Sequence, residues 1–254
     1  MDKCKPIATP HAQNLKLSKD DDSLKCNASV YKSLVGSLLY LTATRPDIMF
    51  AASPLSRYMT SPSQTHFSVA KRALRYVNGT VDYGILYESV CDCSLQVYMD
   101  SDWAGCLMTQ RALQDMFSFG SGVFCWNSSK QESVAQSTAE AEHIVAGAAS
   151  NHAIWLRKIL NDMGQPEVQP CVIQIDNKSA IAIAENPVQH GRTKHIHVKY
   201  HVIRQYVKEK EIKLLHCDSE VQAADILTKP LPKSRFETLR SMLRLTKKPL
   251  KEEC

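Results

Sequence analysis

The sequence predicts an α/β fold, a mixed sheet with helices packed on it, preceded by a small helical unit. Three observations carry this. Leu95, Val97 and Met99 alternate with Gln96 and Tyr98 as in a strand with one buried face, and Cys171 to Ile175 reads as a second, buried strand. Ser137-Thr-Ala-Glu140 is a capping-box signature ahead of a long helical pattern. Residues 28–79 instead carry apolar side chains at helical spacing only.

In chain order, residues 1–27 are polar, with prolines at 6 and 10, and read as an extended leader. Its Asp20-Asp21-Asp22 triplet is expected to be a solvated loop, since adjacent acids cannot all face one ion. Residues 28–84 form the helical unit. Val30, Leu34, Leu38 and Leu41 make one stripe, Ile48 to Met59 a second, and Phe67, Ala70, Leu74 and Val77 a third. Thr44-Arg-Pro-Asp47 and Ser61-Pro-Ser63 separate them, and Asn78-Gly79 ends the last. Pro54 lies inside the middle stripe, where a proline costs about 3 kcal/mol unless a helix starts afresh at it.

Residues 85–235 read as the sheet domain. A strand ends at Asp100, two short strands between 116 and 126 flank Gly120-Ser-Gly122, and a helix runs from 138 to about Met163 before Gly164. The strand Cys171–Ile175 leads to Asp176, followed by a short helix over 177–184 and another near 198–209. Ile212 to His216 make the last of five strands, a short helix follows from Val221, and residues 236–254 read as a basic tail.

At 254 residues, with 44% hydrophobic and 22% charged side chains, the composition is that of a globular chain and excludes a disordered or collagen-like one. No apolar run is long enough for a membrane span, and no secretory signal follows Met1. Nine cysteines, an odd and scattered set, fit reduced thiols in an intracellular compartment, cytoplasm or nucleus. The net charge of +5 favours polyanionic partners only weakly.

Four acids stand where elements could aim them inward: Asp100 and Asp176 at strand ends, Glu142 early in the long helix, and Asp225 on the helix after the last strand. Phosphodiester hydrolysis with two Mg²⁺ ions needs such a set of hard oxygen ligands. Strand alternation is expected to turn Asp102 away from Asp100. Glu140 is assigned to the helix cap, which leaves Glu142 as the inward acid.

Seven ordered blocks then tie the chain to a known family. They are Tyr31 to Ile48, Lys71-Arg-Ala-Leu-Arg-Tyr-Val-Asn-Gly-Thr80, Asp100-Ser-Asp-Trp-Ala-Gly105, Ser137-Thr-Ala-Glu-Ala-Glu142, Asp176-Asn-Lys-Ser-Ala180, Arg192-Thr-Lys-His-Ile196 and Ala224-Asp-Ile-Leu-Thr-Lys-Pro-Leu231. Together they closely resemble the C-terminal part of the copia-type retrotransposon Pol polyprotein, across nearly the whole chain. The resemblance implies the end of a reverse transcriptase with thumb-like helices, then a ribonuclease H-like domain with a mixed five-stranded sheet. It implies Asp100, Glu142, Asp176 and Asp225 as catalytic and metal-ligating residues, two Mg²⁺ ions with Mn²⁺ as a substitute, and an RNA–DNA hybrid as substrate. Integrases of the same fold place their glutamate last, whereas here it comes second. The family's paired-aspartate polymerase motif is not found, so DNA synthesis is not expected, and an intact reverse transcriptase is an expected partner. No membrane and no small-molecule cofactor are expected.

The chain departs from the family after Cys106. Where the family continues with a basic residue and Ser-Thr-Ser-Gly-Tyr-x-Phe, this chain has Arg111-Ala-Leu-Gln-Asp-Met-Phe-Ser118, one residue shorter. Codons for the family's string, read one nucleotide out of frame, spell this one. The altered window falls in the hairpin that supports Asp100, and the expectation is that the turn absorbs the missing residue. The competing reading is a decayed or host-captured remnant that at most binds nucleic acid.

Basic residues supply the remaining candidates. Lys71, Arg72 and Arg75 lie on one helix face, and Arg192, Lys194 and His195 lie in a stretch with His190, His197 and His201. No cysteines or acids accompany these histidines at zinc-ligand spacing, so contact with the phosphates and 2′-hydroxyls of a hybrid is the sharper reading, against an ordinary solvated surface. His216, before Asp225, is a candidate proton shuttle. Arg72-Ala-Leu-Arg75 also spells the Arg-x-Leu-Arg string of secreted oomycete effectors, and its place on a periodic helix makes this a chance match.

Overall fold

The structure, a computed structural model, describes residues 4–88 apart from 14, 16 and 20, together with 94–102, 112–130, 137–185 and 202–247. The chain divides into two units, residues 1–86 with 229–254, and residues 87–228. No helix among the described residues is long and apolar enough to cross a membrane.

In the first unit, Asn27 accepts the backbone N–H groups of Ser29 and Val30 and so starts α1 (Ala28–Leu41). The helix lies where the spacing predicts it, but its buried stripe is turned by about one residue. Tyr31, Val35 and Leu38 are buried, whereas Val30 is 52% exposed. The cause is Tyr31, whose hydroxyl donates to the Leu55 carbonyl at 2.9 Å and carries the ring inward. The middle stripe breaks into a 3₁₀ turn over Pro46–Ile48, the single helical turn α2 (Met49–Ala52), and a 3₁₀ turn over Pro54–Tyr58. Pro54 opens a new turn, where its missing N–H costs nothing. α3 (Gln64–Asn78) begins at a reciprocal cap in which Ser63 Oγ accepts the His66 N–H and His66 Nδ1 accepts the Ser63 N–H.

The leader is fastened to α3. Asp21 accepts hydrogen bonds from Ser63 Oγ at 2.6 Å and Ser23 Oγ at 2.9 Å, and Gln64 N–H donates to the Leu24 carbonyl. Of the acidic triplet, Asp20 lies outside the described residues; Asp21 is a partner of the α3 cap and no solvated loop residue.

Two family blocks meet in the interior of this unit. Asp47, fully buried, accepts both guanidinium arms of Arg45 at 2.8 Å and the Tyr76 hydroxyl at 2.5 Å, and Arg45 also donates to the Thr80 carbonyl and hydroxyl. The chain returns from the second unit to complete this core. After β1 (Tyr83–Ile85), residues 233–247 supply a later helix, Lys233–Met242, and a strand, Leu245–Lys247, antiparallel to β1. Phe236 and Leu239 of that helix are buried, Phe236 edge-on to Tyr76. Residues 233–247 are thus folded elements, where the sequence reading has the sheet domain's end and a tail.

The second unit is a five-stranded mixed sheet. Its strands are β2 (Leu95–Asp102), β3 (Ala112–Phe119), β4 (Gly122–Lys130), β5 (Cys171–Ile175) and β6 (Ile212–His216), in the order β4-β3-β2-β5-β6. β2 is antiparallel to β3 and parallel to β5, and β5 is parallel to β6. Leu95, Val97, Met99, Phe117, Ile173, Ile175 and Leu214 point to one face, covered by α4 (Thr138–Asp162) through Val145, Ala146, Ala149 and Ala153. Ser137 caps α4 by accepting the Glu140 N–H at 3.2 Å, and Gly164 leaves it at φ +75°. α5 (Lys178–Glu185) and α6 (Val202–Lys208) add Ala180, Ala184 and Ile203 to the same core.

The altered window enters the sheet from Ala112 on, Arg111 lying outside the described residues. Leu95 pairs with Phe119 and Val97 with Phe117, so β3 keeps its place beside β2. Gly120 turns into β4 at φ +59°, the conformation a two-residue hairpin needs at its first central position. Phe117 pairs with Cys125 but Ser118 with Val123, so Phe124 bulges from β4.

The Arg45–Asp47 pair generates a stability prediction. Asp47→Ala leaves a buried guanidinium uncompensated and is expected to cost about 3–5 kcal/mol in denaturant unfolding. A midpoint equal to that of the parent would remove the pair from this role.

A candidate catalytic site of four carboxylates

The register of two parallel strands lays out the site. Tyr98 stands opposite Gln174, and the same register continued two residues brings Asp100 level with Asp176. On the other side of β5, Ile175 pairs with His216, so Cys217 follows beside Asp176. The strand does not end at Asp100 as expected. It runs on to Asp102, which pairs with Ala112. Positions two apart on a strand share a face, so the alternation rule gives no ground for setting Asp102 apart from Asp100.

Glu142 arrives from the first turn and a half of α4. It is 8% exposed, and its Oε1 accepts from Asn177 Nδ2 at 3.2 Å. Its Oε2 is buried without a hydrogen-bond donor among the described residues. Burial first, then the negative charges of Asp176 and Asp100, push the Glu142 carboxyl up to about 8, with Asp176 within hydrogen-bonding reach. Glu140 is also buried, but it is Glu142 that faces the aspartates.

Asp225, 1% exposed, opens the short helix α7 (Asp225–Thr228). Cys217 links it to the rest: burial, then the charges of Asp176 and Asp225, raise that thiol to about 11. Two neutral side chains fasten the arrangement. Thr228 Oγ1 donates to Asp100 Oδ2 at 2.6 Å. Gln222, fully buried, donates to the Met99 carbonyl at 3.0 Å and to Cys217 Sγ at 3.4 Å, and accepts the Ala224 N–H. Neither was singled out in the sequence, although both lie within three residues of Asp225. A buried amide and hydroxyl so close to a candidate ligand were the available signal.

Structure and electrostatics thus bring Asp100, Glu142, Asp176 and Asp225 to one end of the sheet. Hard carboxylate oxygens, and a buried Glu142 Oε2 with no hydrogen-bond partner among the described residues, fit a divalent cation. No three His, Cys, Asp or Glu side chains among the described residues stand at metal-coordinating spacing.

The remaining candidates are placed as follows. His216 is exposed at the end of β6. Lys71 is exposed, with Nζ 4.2 Å over the Phe67 ring, and Arg75 is half-buried. Arg72 is half-buried and donates to Thr9 Oγ1 at 3.0 Å, so part of its donor capacity serves the leader. Arg192, Lys194 and His195, with His190, His197 and His201, lie outside the described residues.

Glu142 yields a pH prediction. Its acid form is favoured in the fold, so the folded state keeps a proton that the unfolded chain releases near the ordinary carboxylate pKa. Stability therefore falls as pH rises from that value to about 8, and the loss is complete above it. In EDTA, Glu142→Gln is expected to melt a few degrees above the parent at pH 8.5 and level with it near pH 4. A difference independent of pH would show that Glu142 does not carry this charge.

Curated relatives agree in extent with the sequence blocks. The chain is 36% identical over 246 residues to the "Retrovirus-related Pol polyprotein from transposon RE1" of Arabidopsis thaliana, covering 96% of this chain and 17% of that protein. It is 36% identical over 255 residues to the corresponding polyprotein from transposon TNT 1-94 of Nicotiana tabacum, covering 96% of this chain and 19% of that protein. It is also 37% identical over 128 residues to "Secreted RxLR effector protein 161" of Plasmopara viticola, half of this chain and 90% of that protein. The chain therefore spans under a fifth of the length of the polyproteins it matches. No protein-family model matches it, and no solved structure does.

Proposed function

The chain belongs to the family of retrovirus-related Pol polyproteins of copia-type transposons, and from that premise we propose that its second unit is a ribonuclease H, cutting the RNA strand of RNA–DNA hybrids. The observation that carries the reading is Glu142 Oε2, buried without a donor among the described residues and facing Asp176 at the end of a five-stranded mixed sheet. Asp100 and Asp176 would contact the reacting phosphate and the first of two Mg²⁺ ions, Glu142 would hold one ion and Asp225 the other, with Mn²⁺ as a substitute. When bound, the ions would supply Lewis acidity at the scissile phosphate and lower the pKa of the attacking water.

The protein's own part is positioning. Thr228 holds the Asp100 carboxylate through Oδ2, and Gln222 ties the strand beneath it to the turn before Asp225. Asn177 fixes one oxygen of Glu142 and leaves the other directed at Asp176. His216, exposed on the strand beside Ile175, can exchange a proton with solvent near these acids. Lys71, Arg75 and the basic stretch around Arg192, Lys194 and His195 would contact hybrid phosphates. DNA synthesis would come from an intact reverse transcriptase as partner.

The test is hydrolysis of a labelled RNA–DNA hybrid by the purified chain, in Mg²⁺ and in EDTA. Asp176→Asn is expected to lower cleavage on the order of a thousandfold or more while leaving hybrid affinity nearly intact, because basic side chains and not the acids bind phosphates. Equal cleavage by Asp176→Asn and the parent would end this assignment. Hybrid binding without cleavage by the parent in Mg²⁺ would leave the non-catalytic remnant as the function.

A further inference from the structure

His66 has more partners than a helix cap requires. Its side chain is fully buried, and its ring stacks on that of Tyr58 with centroids 3.9 Å apart. Nδ1 lies 3.0 Å from the Ser63 nitrogen, and Nε2 lies 3.0 Å from the Ser18 carbonyl oxygen. A backbone N–H can only donate and a carbonyl can only accept, so Nδ1 presents a lone pair and Nε2 carries the proton. One neutral tautomer therefore joins the first turn of α3 to the leader. The leader has little else to hold it there. None of the described side chains from 18 to 25 is buried, and Leu24 is 81% exposed. The segment is held by hydrogen bonds that converge on residues 63–66. Besides the Asp21 and Leu24 bonds, Ser23 Oγ accepts the Thr65 N–H at 3.4 Å and the Thr65 hydroxyl at 3.1 Å, and Lys25 pairs with Ser63 in an isolated antiparallel bridge.

We propose that His66 is a proton-operated latch, which fastens residues 18–25 to the start of α3 when neutral and releases them when protonated. A second proton has one place to go, Nδ1. There it turns the acceptor of the Ser63 N–H into a donor and leaves that buried N–H without its partner. The charged groups that face the ring both come from the leader. Asp21 favours the imidazolium and Lys25 opposes it, while Tyr58, from the turn beneath, stays neutral in this pH range. Burial outweighs Asp21 and holds the His66 imidazole below its ordinary value. The sign follows. The free energy that closes the latch is fully present above the ordinary imidazole value, and it falls as pH drops below that value, because the open segment takes up a proton that the closed one refuses. The latch shares no residue with the four carboxylates and stands whether or not they cleave hybrids.

The test is amide hydrogen exchange of the full chain, read residue by residue by NMR and corrected for the intrinsic rate at each pH. The reporters are the N–H groups of Cys26, Ser63 and Gln64, which donate to the Pro62 carbonyl, His66 Nδ1 and the Leu24 carbonyl. Val35 and Leu38 in the core of α1 are the reference. From pH 7.5 to pH 5.5, about one unit below the ordinary imidazole value, reporter exchange is expected to rise about tenfold against the reference. His66→Gln supplies the acceptor usual at this position of a capping box and does not titrate, so it is expected to remove the rise. Unchanged or slower exchange at pH 5.5 in the parent would overturn the proposal, slower exchange meaning that Asp21 holds the imidazolium in place. An equal rise in His66→Gln would also overturn it and point to His11, itself buried in the leader. If α1 loses protection in His66→Gln, that variant has unfolded and the parent decides. Its His66 ring signals must then titrate with the same midpoint as the exchange, and a different midpoint overturns the latch.

Discussion

Two negative charges held side by side by a parallel register are the constraint on which the second unit is built. β2 and β5 could pair without trouble if Asp100 and Asp176 were neutral, but with both acids level the strands converge on mutual repulsion. The surrounding elements answer this in ways that leave the acids exposed to one another. Thr228 gives Asp100 a hydrogen bond without a charge, and Asn177 does the same for Glu142. Glu142 itself keeps a proton into the neutral range.

Much of this architecture was legible from periodicity. Alternation located β2 and β5, the Ser137 cap located the start of α4, and Gly164 located its end. Local patterning singled out the four candidate acids, although β2 runs past Asp100 to Asp102 and Glu142 lies inside α4. What periodicity misplaced were faces. In α1 and α3 the apolar spacing suggested stripes of which Leu38 and Ala70 are buried, but Tyr31, His66 and Tyr76 are buried beside them, because each finds a hydrogen-bond partner inside. Aromatic and imidazole groups become core residues only when a distant partner satisfies their polar atoms, and that partner is invisible locally. The helix over 233–242 was missed for the opposite reason. Phe236, Leu239 and Leu243 have helical spacing, but lie among charged residues that read as a tail.

The window 111–118 shows how weakly one strand's chemistry constrains its pairing. Its residues bear no likeness to the family's Ser/Thr/Gly-rich string, yet β3 pairs over its whole length with β2. Backbone hydrogen bonds are indifferent to side chains, and Met116 and Phe117 supply buried apolar volume on opposite faces. The cost falls on Asp115, a buried acid where a strand would favour an apolar residue, and His152 offsets it from the facing helix. The bulge at Phe124 takes up irregularity on the edge strand, where few neighbours are disturbed.

The first unit is split in the sequence, and this orders events during synthesis. Its core needs Phe236 and Leu239, and β1 has its partner strand only in residues 245–247, all of which leave the ribosome after the whole of the second unit. The second unit is contiguous and can fold as soon as it emerges, whereas α1 and α3 must wait with an unfinished apolar face. A stop codon between residues 229 and 233 would therefore spare the four carboxylates and their sheet while leaving the earliest-made helices without the piece that closes them.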